Sequence, residues 1–207
     1  METLITLPRG APAAALLLAT IVAVSLMALF VAPSLIERSV FRPHRLVPRR
    51  EYATLITSAF VHADLMHLLF NGFTFWAFAF SLERAMGTPM FVVLYGVGLL
   101  ASDAGTYFKH RHDPGYRTLG ASGAILAVLF ASILYFPSAS IFILPIPVPI
   151  PAPLFAVAYL VYTWYASRRG GGRVNHDAHF SGAVAGVVFV ALAEPAVLRR
   201  ALHAFFG

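Results

Sequence analysis

Residues 119–130 read Leu119-Gly120-Ala121-Ser122-Gly123-Ala124-Ile125-Leu126-Ala127-Val128-Leu129-Phe130. The apolar run continues to Phe136 without a charge. In hydrocarbon every backbone N–H and C=O needs an internal partner, so such a run is read as a membrane-crossing helix. The chain around it agrees. Hydrophobic residues make up 59% and charged residues 12% of 207 positions. Soluble domains carry about 25% charged residues and about 45–50% apolar ones. The reading is therefore an all-α membrane protein. A barrel would show alternation of period two along its strands, and none is visible.

Apolar runs broken by charge and glycine predict six spans, at about 13–31, 54–80, 88–107, 119–136, 154–166 and 178–193. The first is read as a transmembrane helix that is kept, because several apolar segments follow it. With 0 cysteines, thiolate metal sites, cysteine nucleophiles and disulfides are excluded. The net charge of +6 is almost wholly arginine and falls in short loops. That placement points to lipid headgroups and away from nucleic acid.

Two connections stand out. Within 137–153, prolines recur at 145, 147, 149, 151 and 153. They predict extended, polyproline-like backbone at a membrane interface, followed by a short fifth span. The segment Ile36–Arg50 is the most charged. It is read as a solvated loop, with a small amphipathic structure on the membrane surface as the other reading.

Polar side chains inside apolar spans are costly, and each is a candidate site. His67 and Asn71 are spaced i, i+4, share a helix face and can both donate hydrogen bonds. Two donors aimed at one point can hold a developing oxyanion; the plainer reading is a polar pair joining two helices. Ser122 opens the fourth span between Gly120 and Gly123. A serine there is ordinarily an N-cap. The glycines, however, permit close backbone approach and leave the hydroxyl accessible, beside unpaired helix-start N–H groups. His179 begins the sixth span, followed by Gly182 and Gly186 in a small-xxx-small face; the plainer reading is a capping histidine. His62 and His67 invite a metal reading, but no His-Glu-x-x-His arrangement or third ligand accompanies them. No metal or cofactor is expected.

Topology connects these residues. Ser122 starts the fourth span and His179 the sixth, so two crossings return the chain to the same side. The second span, carrying His67 and Asn71, starts there too. A serine hydroxyl needs an adjacent base to act as a nucleophile near neutral pH.

The combination His67-x-x-x-Asn71, Gly120-Ala121-Ser122-Gly123 and Ala178-His179-Phe180-Ser181-Gly182-x-x-x-Gly186 resembles the rhomboid proteases. Phe60-x-His62 and Leu82-Glu83-Arg84-x-x-Gly87 are similar to that family as well, and the matches follow its order from about Tyr52 to Gly186. The resemblance implies one membrane domain, a six-helix bundle spanning 1–207. It also implies a serine endopeptidase that cuts single-span or polytopic membrane proteins in or near their transmembrane helices. Ser122 is then the nucleophile and His179 the base, a dyad without aspartate, so Asp177 is not a third member. The Ser122 N–H with His67 and Asn71 forms the oxyanion hole. Gly123 admits close approach at Gly182, and His62 and Glu83 are structural supports. A gate between the second and fifth helices is expected, and the cell (inner) membrane of a prokaryote is the implied location.

The chain departs from the family at Arg50-Glu51-Tyr52, where many relatives carry Trp-Arg. It departs again at Leu126, where an aromatic often stacks on the base. Charge leaves the orientation open. Arg9, Arg84, Arg199 and Arg200 lie opposite the Ser122 side and the other eleven basic residues lie with it, which by the positive-inside rule makes that side cytoplasmic. The resemblance implies the reverse. Oligomeric state is not legible. Two other classes are kept. One is an inactive rhomboid-like protein that binds membrane clients. The other is a small transporter using intramembrane histidine and Asp103; no internal repeat supports it, and Asp103 is read as a helix-end residue with a partner.

Overall fold

A computed structural model describes residues 10–143, 146–169 and 174–206. In chain order the elements are α1 (Pro12–Phe30), α2 (Ser34–Ser39), α3 (Pro43–Leu46), α4 (Thr54–Thr57), a 3-10 turn (Ser58–Phe60), α5 (Leu65–Met86), α6 (Thr88–His110), α7 (Ser122–Tyr135), β1 (Ser140–Ile143), β2 (Ile146–Pro151), α8 (Ala152–Arg169), α9 (His176–Ala193) and α10 (Pro195–Phe206). Four of these helices, α1, α5, α6 and α9, are long and apolar enough to cross a membrane.

Helix α7 is the axis of the bundle. Every residue from Gly123 to Leu134 is buried, because α5, α6 and α9 all pack on it. Its 14 residues reach only about 21 Å at 1.5 Å each, short of a hydrocarbon core of about 30 Å. Enclosed by protein, it need not match the bilayer. Its N-terminus, bearing Ser122, can therefore be reached from a recess.

Small residues set the spacing. A Cβ at Gly182 would overlap the Gly123 backbone, and one at Gly186 would overlap the Ala127 backbone. A Cβ at Gly98 in α6 would collide with Ala127. The i, i+4 pair at 182 and 186 thus lays α9 directly on the α7 main chain, the geometry that small-xxx-small faces allow.

The expected second span is corrected. The stretch from 54 to 64 is a short helix, a 3-10 turn and extended chain, and α5 begins only at Leu65. Asp64 is extended (φ −157°, ψ 171°), and its carboxylate accepts the His67 N–H at 2.8 Å, capping the helix. His67 therefore lies in the first turn of α5.

The helix at the expected fifth span is longer than expected: α8 covers 18 residues, Ala152–Arg169. Of the proline-rich connection, residues 140–143 and 146–151 are extended and pair in antiparallel fashion, with Ser140 opposite Pro151 and Ile141 opposite Ile150, whereas Pro153, expected to be extended, lies in the first turn of α8 and Pro145 lies outside the described residues. Ala152 N–H donates to Ala139 O at 3.0 Å. Since strand amides alternate in direction, the prolines at 147, 149 and 151 turn their missing donors to the outer edge.

The charged 36–50 segment is not a plain loop. Val40, Phe41 and Leu46 are buried, and Phe41 exchanges backbone hydrogen bonds with Thr118 at 2.8 and 3.0 Å. Apolar residues interleaved with the arginines anchor it while the charges stay outside. Asp103 is not at a helix end: it lies within α6, buried, and its Oδ2 has no hydrogen-bond partner. Glu83 acts as a tie. It accepts the N–H groups of Ala13 (3.1 Å) and Ala14 (2.7 Å) at the start of α1, and the Thr88 hydroxyl (2.7 Å) at the start of α6. Helix α10 has no counterpart among the expected elements.

Replacing Gly186 with Ala is expected to lower thermal stability in detergent by about 1–3 kcal/mol, because α7 and α9 must separate. A Cβ at Gly96 meets nothing within 4 Å, so Gly96→Ala is expected to leave the melting temperature unchanged or higher. Equal melting temperatures for the two variants would contradict the packing account.

Candidate active site

Ser122 is the first residue of α7, and the preceding Ala121 makes no side-chain cap. The serine hydroxyl is thus not spent on capping. Gly120 holds φ +112°, a conformation that side chains strain to adopt. Its N–H donates to Ser58 O at 2.9 Å. This turn aims Ser122 at the N-terminus of α9. There the Asn175 side chain caps the helix, accepting the Ala178 N–H at 3.0 Å. The result is a hydrogen bond of 2.8 Å between Ser122 Oγ and His179 Nε2. The two residues are 57 positions apart in sequence, and both are partly buried.

Both donors from α5 face the same spot. A Cβ placed on Gly120 would lie 2.8 Å from His67 Nε2 and 3.6 Å from Asn71 Nδ2. Among the described residues, the buried Asn71 Nδ2 has no hydrogen-bond partner. A buried donor left unpaired costs about 1–3 kcal/mol, so it is a position kept for something else. Ser122, His179, His67 and Asn71 all line one cavity of about 370 Å3, whose lining also includes Ala63, Phe70, Leu119 and Val174. The structure therefore brings together all four residues that the sequence singles out for chemistry.

The supports fall around them. Gly123 and Gly182 meet where α7 crosses α9. His62 lies behind His67, edge to face, with ring centroids 4.8 Å apart. The Ser25 hydroxyl donates to Phe60 O at 2.9 Å and lies 2.8 Å from His62 Nδ1. Since that hydroxyl proton is committed, His62 Nδ1 must donate and Nε2 carries the lone pair. Burial holds the His62 pKa far below its ordinary 6.5, at about 3; His67 lowers it further and Asp64 opposes.

Asp177 turns away from the dyad. Its carboxylate pairs with Lys109 at 2.8 Å and with His110 at 2.9 Å, and the His110 ring stacks on Tyr116 at 3.6 Å. Lys109 also donates to Ser167 O, so this network joins the ends of α6, α8 and α9.

Sequence reasoning missed two contributors. Asn175 donates to Thr106 Oγ1 at 2.9 Å and to Thr118 Oγ1 at 3.3 Å, fixing the wall of the cavity. Its only sequence signal is an Asn one residue before a helix start. Tyr159 on α8 places its hydroxyl 3.1 Å from His179 Nδ1. An aromatic in an apolar span gives no signal. At the family's stacking position, Leu126 is buried and packs with α8 side chains. Among the described residues no cluster of three or more His, Asp or Glu side chains suited to a metal is present.

Comparison with known proteins bears on the family of the chain. A family model described as the rhomboid domain matches residues 49–195. A protein of Bacillus subtilis named "Putative rhomboid protease YdcA" is 38% identical over 82 residues, covering 40% of this chain and 40% of that protein. "Presenilin-associated rhomboid-like protein A, mitochondrial" of Danio rerio is 30% identical over 148 residues, covering 70% of this chain and 39% of its own length. "Rhomboid protein 1, mitochondrial" of Saccharomyces cerevisiae is 30% identical over 156 residues, with 68% and 43% covered. The chain spans about two-fifths of the length of these curated relatives. The mitochondrial names do not support the expected prokaryotic inner membrane; what the fold carries is membrane-spanning helices.

The His62 environment predicts acid lability. With a folded pKa near 3 against 6.5 unfolded, the unfolded state alone takes up the proton between those values. Stability is full above pH 6.5 and falls as pH drops toward 3, by up to about 1.4 kcal/mol per unit from this residue. Thermal melts in detergent at pH 7 and pH 4.5 are expected to differ less for His62→Gln than for wild type.

Proposed function

The chain belongs to the rhomboid family, and on that premise we propose that it is an intramembrane serine endopeptidase acting on peptide bonds in or near the transmembrane helices of other membrane proteins. The observation that carries this reading is the 2.8 Å Ser122 Oγ–His179 Nε2 contact, opening into a cavity that also holds an unpaired buried donor.

The chemistry follows from the groups. Ser122 Oγ attacks the carbonyl carbon while its proton passes to His179 Nε2. A C–O bond forms, and the carbonyl electron pair moves onto oxygen. That oxyanion is held by the Ser122 N–H, His67 and Asn71, donors already in place before charge develops. Collapse breaks the C–N bond, and His179 gives its proton to the leaving amine. Water then attacks the acyl carbon and loses a proton to His179, the C–O bond to Ser122 breaks to release the acid, and His179 returns that proton to Ser122 Oγ. Asp177 takes no part, being held by Lys109 and His110.

Peptide hydrolysis needs water and an exposed carbonyl. The shortness of α7 supports a water-filled recess above Ser122, and the substrate helix must unwind to enter it. We take α7 and α8 to complete a six-span bundle with α1, α5, α6 and α9, in one membrane domain. The substrate class is single-span or polytopic membrane proteins. Against the alternative of an inactive client-binding relative stands the Ser122 Oγ–His179 Nε2 hydrogen bond beside the unpaired Asn71 amide in one cavity.

Purified protein in micelles or proteoliposomes is expected to cleave a model transmembrane substrate, and Ser122→Ala to abolish cleavage. Asn71→Ala is expected to lower kcat by about 100–1000-fold with KM little changed and the melting temperature kept or raised. Undiminished cleavage by Ser122→Ala would overturn the proposal.

A further inference from the structure

The dyad lacks a carboxylate to orient its base, yet His179 Nδ1 is not without a partner. The Tyr159 hydroxyl stands 3.1 Å from it. Tyr159 comes from the middle of α8, not from the helices that carry the other site residues. Its ring stacks on Phe155, with centroids 5.4 Å apart and planes 23° apart, and leans on Phe130 of α7 at 6.0 Å. Those aromatic contacts hold the hydroxyl on the far side of the imidazole from Ser122.

The direction of this bond decides whether the dyad works. To accept the Ser122 proton, Nε2 must hold a lone pair, so the imidazole proton must sit on Nδ1. Tyr159 Oη is then the acceptor for Nδ1–H. After proton transfer both ring nitrogens carry hydrogens, and Oη is the acceptor already in place for the second. With Tyr159 donating instead, the proton would sit on Nε2, pointing at Ser122 Oγ, and the base could not function. The neighbouring carboxylate is unavailable to do this, since Asp177 is committed to Lys109 and His110.

We propose that Tyr159 is the positioning residue of the site, its phenol oxygen fixing His179 in the Nδ1–H tautomer that can take the serine proton. The role deepens the protease reading and rests on it.

The test uses the full chain in bicelles. Nitrogen NMR of 15N-histidine-labelled protein, with His179 identified by loss of its signals in His179→Gln, is expected to show a protonated Nδ1 and a bare Nε2. In Tyr159→Phe, which keeps the ring and loses the oxygen, the two tautomers are expected to exchange. In parallel, Tyr159→Phe is expected to lower kcat on the order of 10-fold, a fraction of what a positioned base contributes, with KM and melting temperature within error of wild type. A dominant Nε2–H tautomer in wild type, or a kcat for Tyr159→Phe within twofold of wild type, overturns the proposal. If the variant does not fold, the wild-type tautomer decides alone. The spectrum needs no turnover, so absence of any cleavage sinks the protease reading separately from this one.

Discussion

Main chain lies on main chain where α7 crosses α9, and the rest of the molecule depends on that crossing. Gly182 over Gly123 and Gly186 over Ala127 leave no room for a Cβ. The contact lies one turn below Ser122 and His179. A hydrogen bond of 2.8 Å tolerates shifts of only a few tenths of an ångström. No flexible side chain could hold two helices to that tolerance, whereas backbone resting on backbone can. In lipid there is little hydrophobic drive between helices, so close dispersion contact must supply the association. The same glycines thus serve stability and register together.

A second constraint is the deliberate shortage of partners. Asn71 Nδ2 and His62 Nε2 are both buried and unpaired. His62 is explained locally. Its tautomer is fixed through Ser25, and its ring is used as a wall behind His67. Asn71 has no such local explanation. Gly120 keeps the space beside it open: any side chain there would press on the His67 ring. The positive φ, the neighbouring donors and the free serine hydroxyl are parts of one arrangement, in which backbone strain and unmet hydrogen bonding lie side by side.

Much of this was legible in the sequence because it is written in short range. Glycine at i, i+4, His67 and Asn71 at i, i+4, and Ser122 at a helix start are local patterns with a physical meaning. The same-side argument needed only a count of crossings. What escaped is written at long range. Asp64 stops α5 from extending upstream through a cap that competes with apolar periodicity. The hairpin emerges because alternating prolines put their missing donors on one edge, which a reading of each proline in isolation does not reveal. Asp103 was expected at a helix end with a partner, but it lies within α6, and among the described residues its Oδ2 has no hydrogen-bond partner. Tyr159 carried no signal, since its significance lies in an atom of another helix 20 residues away.

That last contact ties access to competence. Among the described residues of α8 only Ala152 and Thr163 are buried, so this helix is the least enclosed element touching the site. Its upper end is fastened through Lys109 to Ser167 O. Trp164 and Tyr165 are covered by Arg168 and Arg169 at 4.0 and 4.4 Å, as expected of side chains at a membrane surface. On the proposed protease reading, a substrate helix reaching the cavity from the lipid must pass an element that can give way, and α7, buried from Gly123 to Leu134, cannot. If α8 yields, Tyr159 leaves His179, and the imidazole loses its acceptor while the site stands open. The base is then oriented only when α8 returns. On the proposed protease reading, a chain surrounded by hydrophobic helices that it must not cut has reason to keep its nucleophile unactivated until the element that admitted the substrate has closed again.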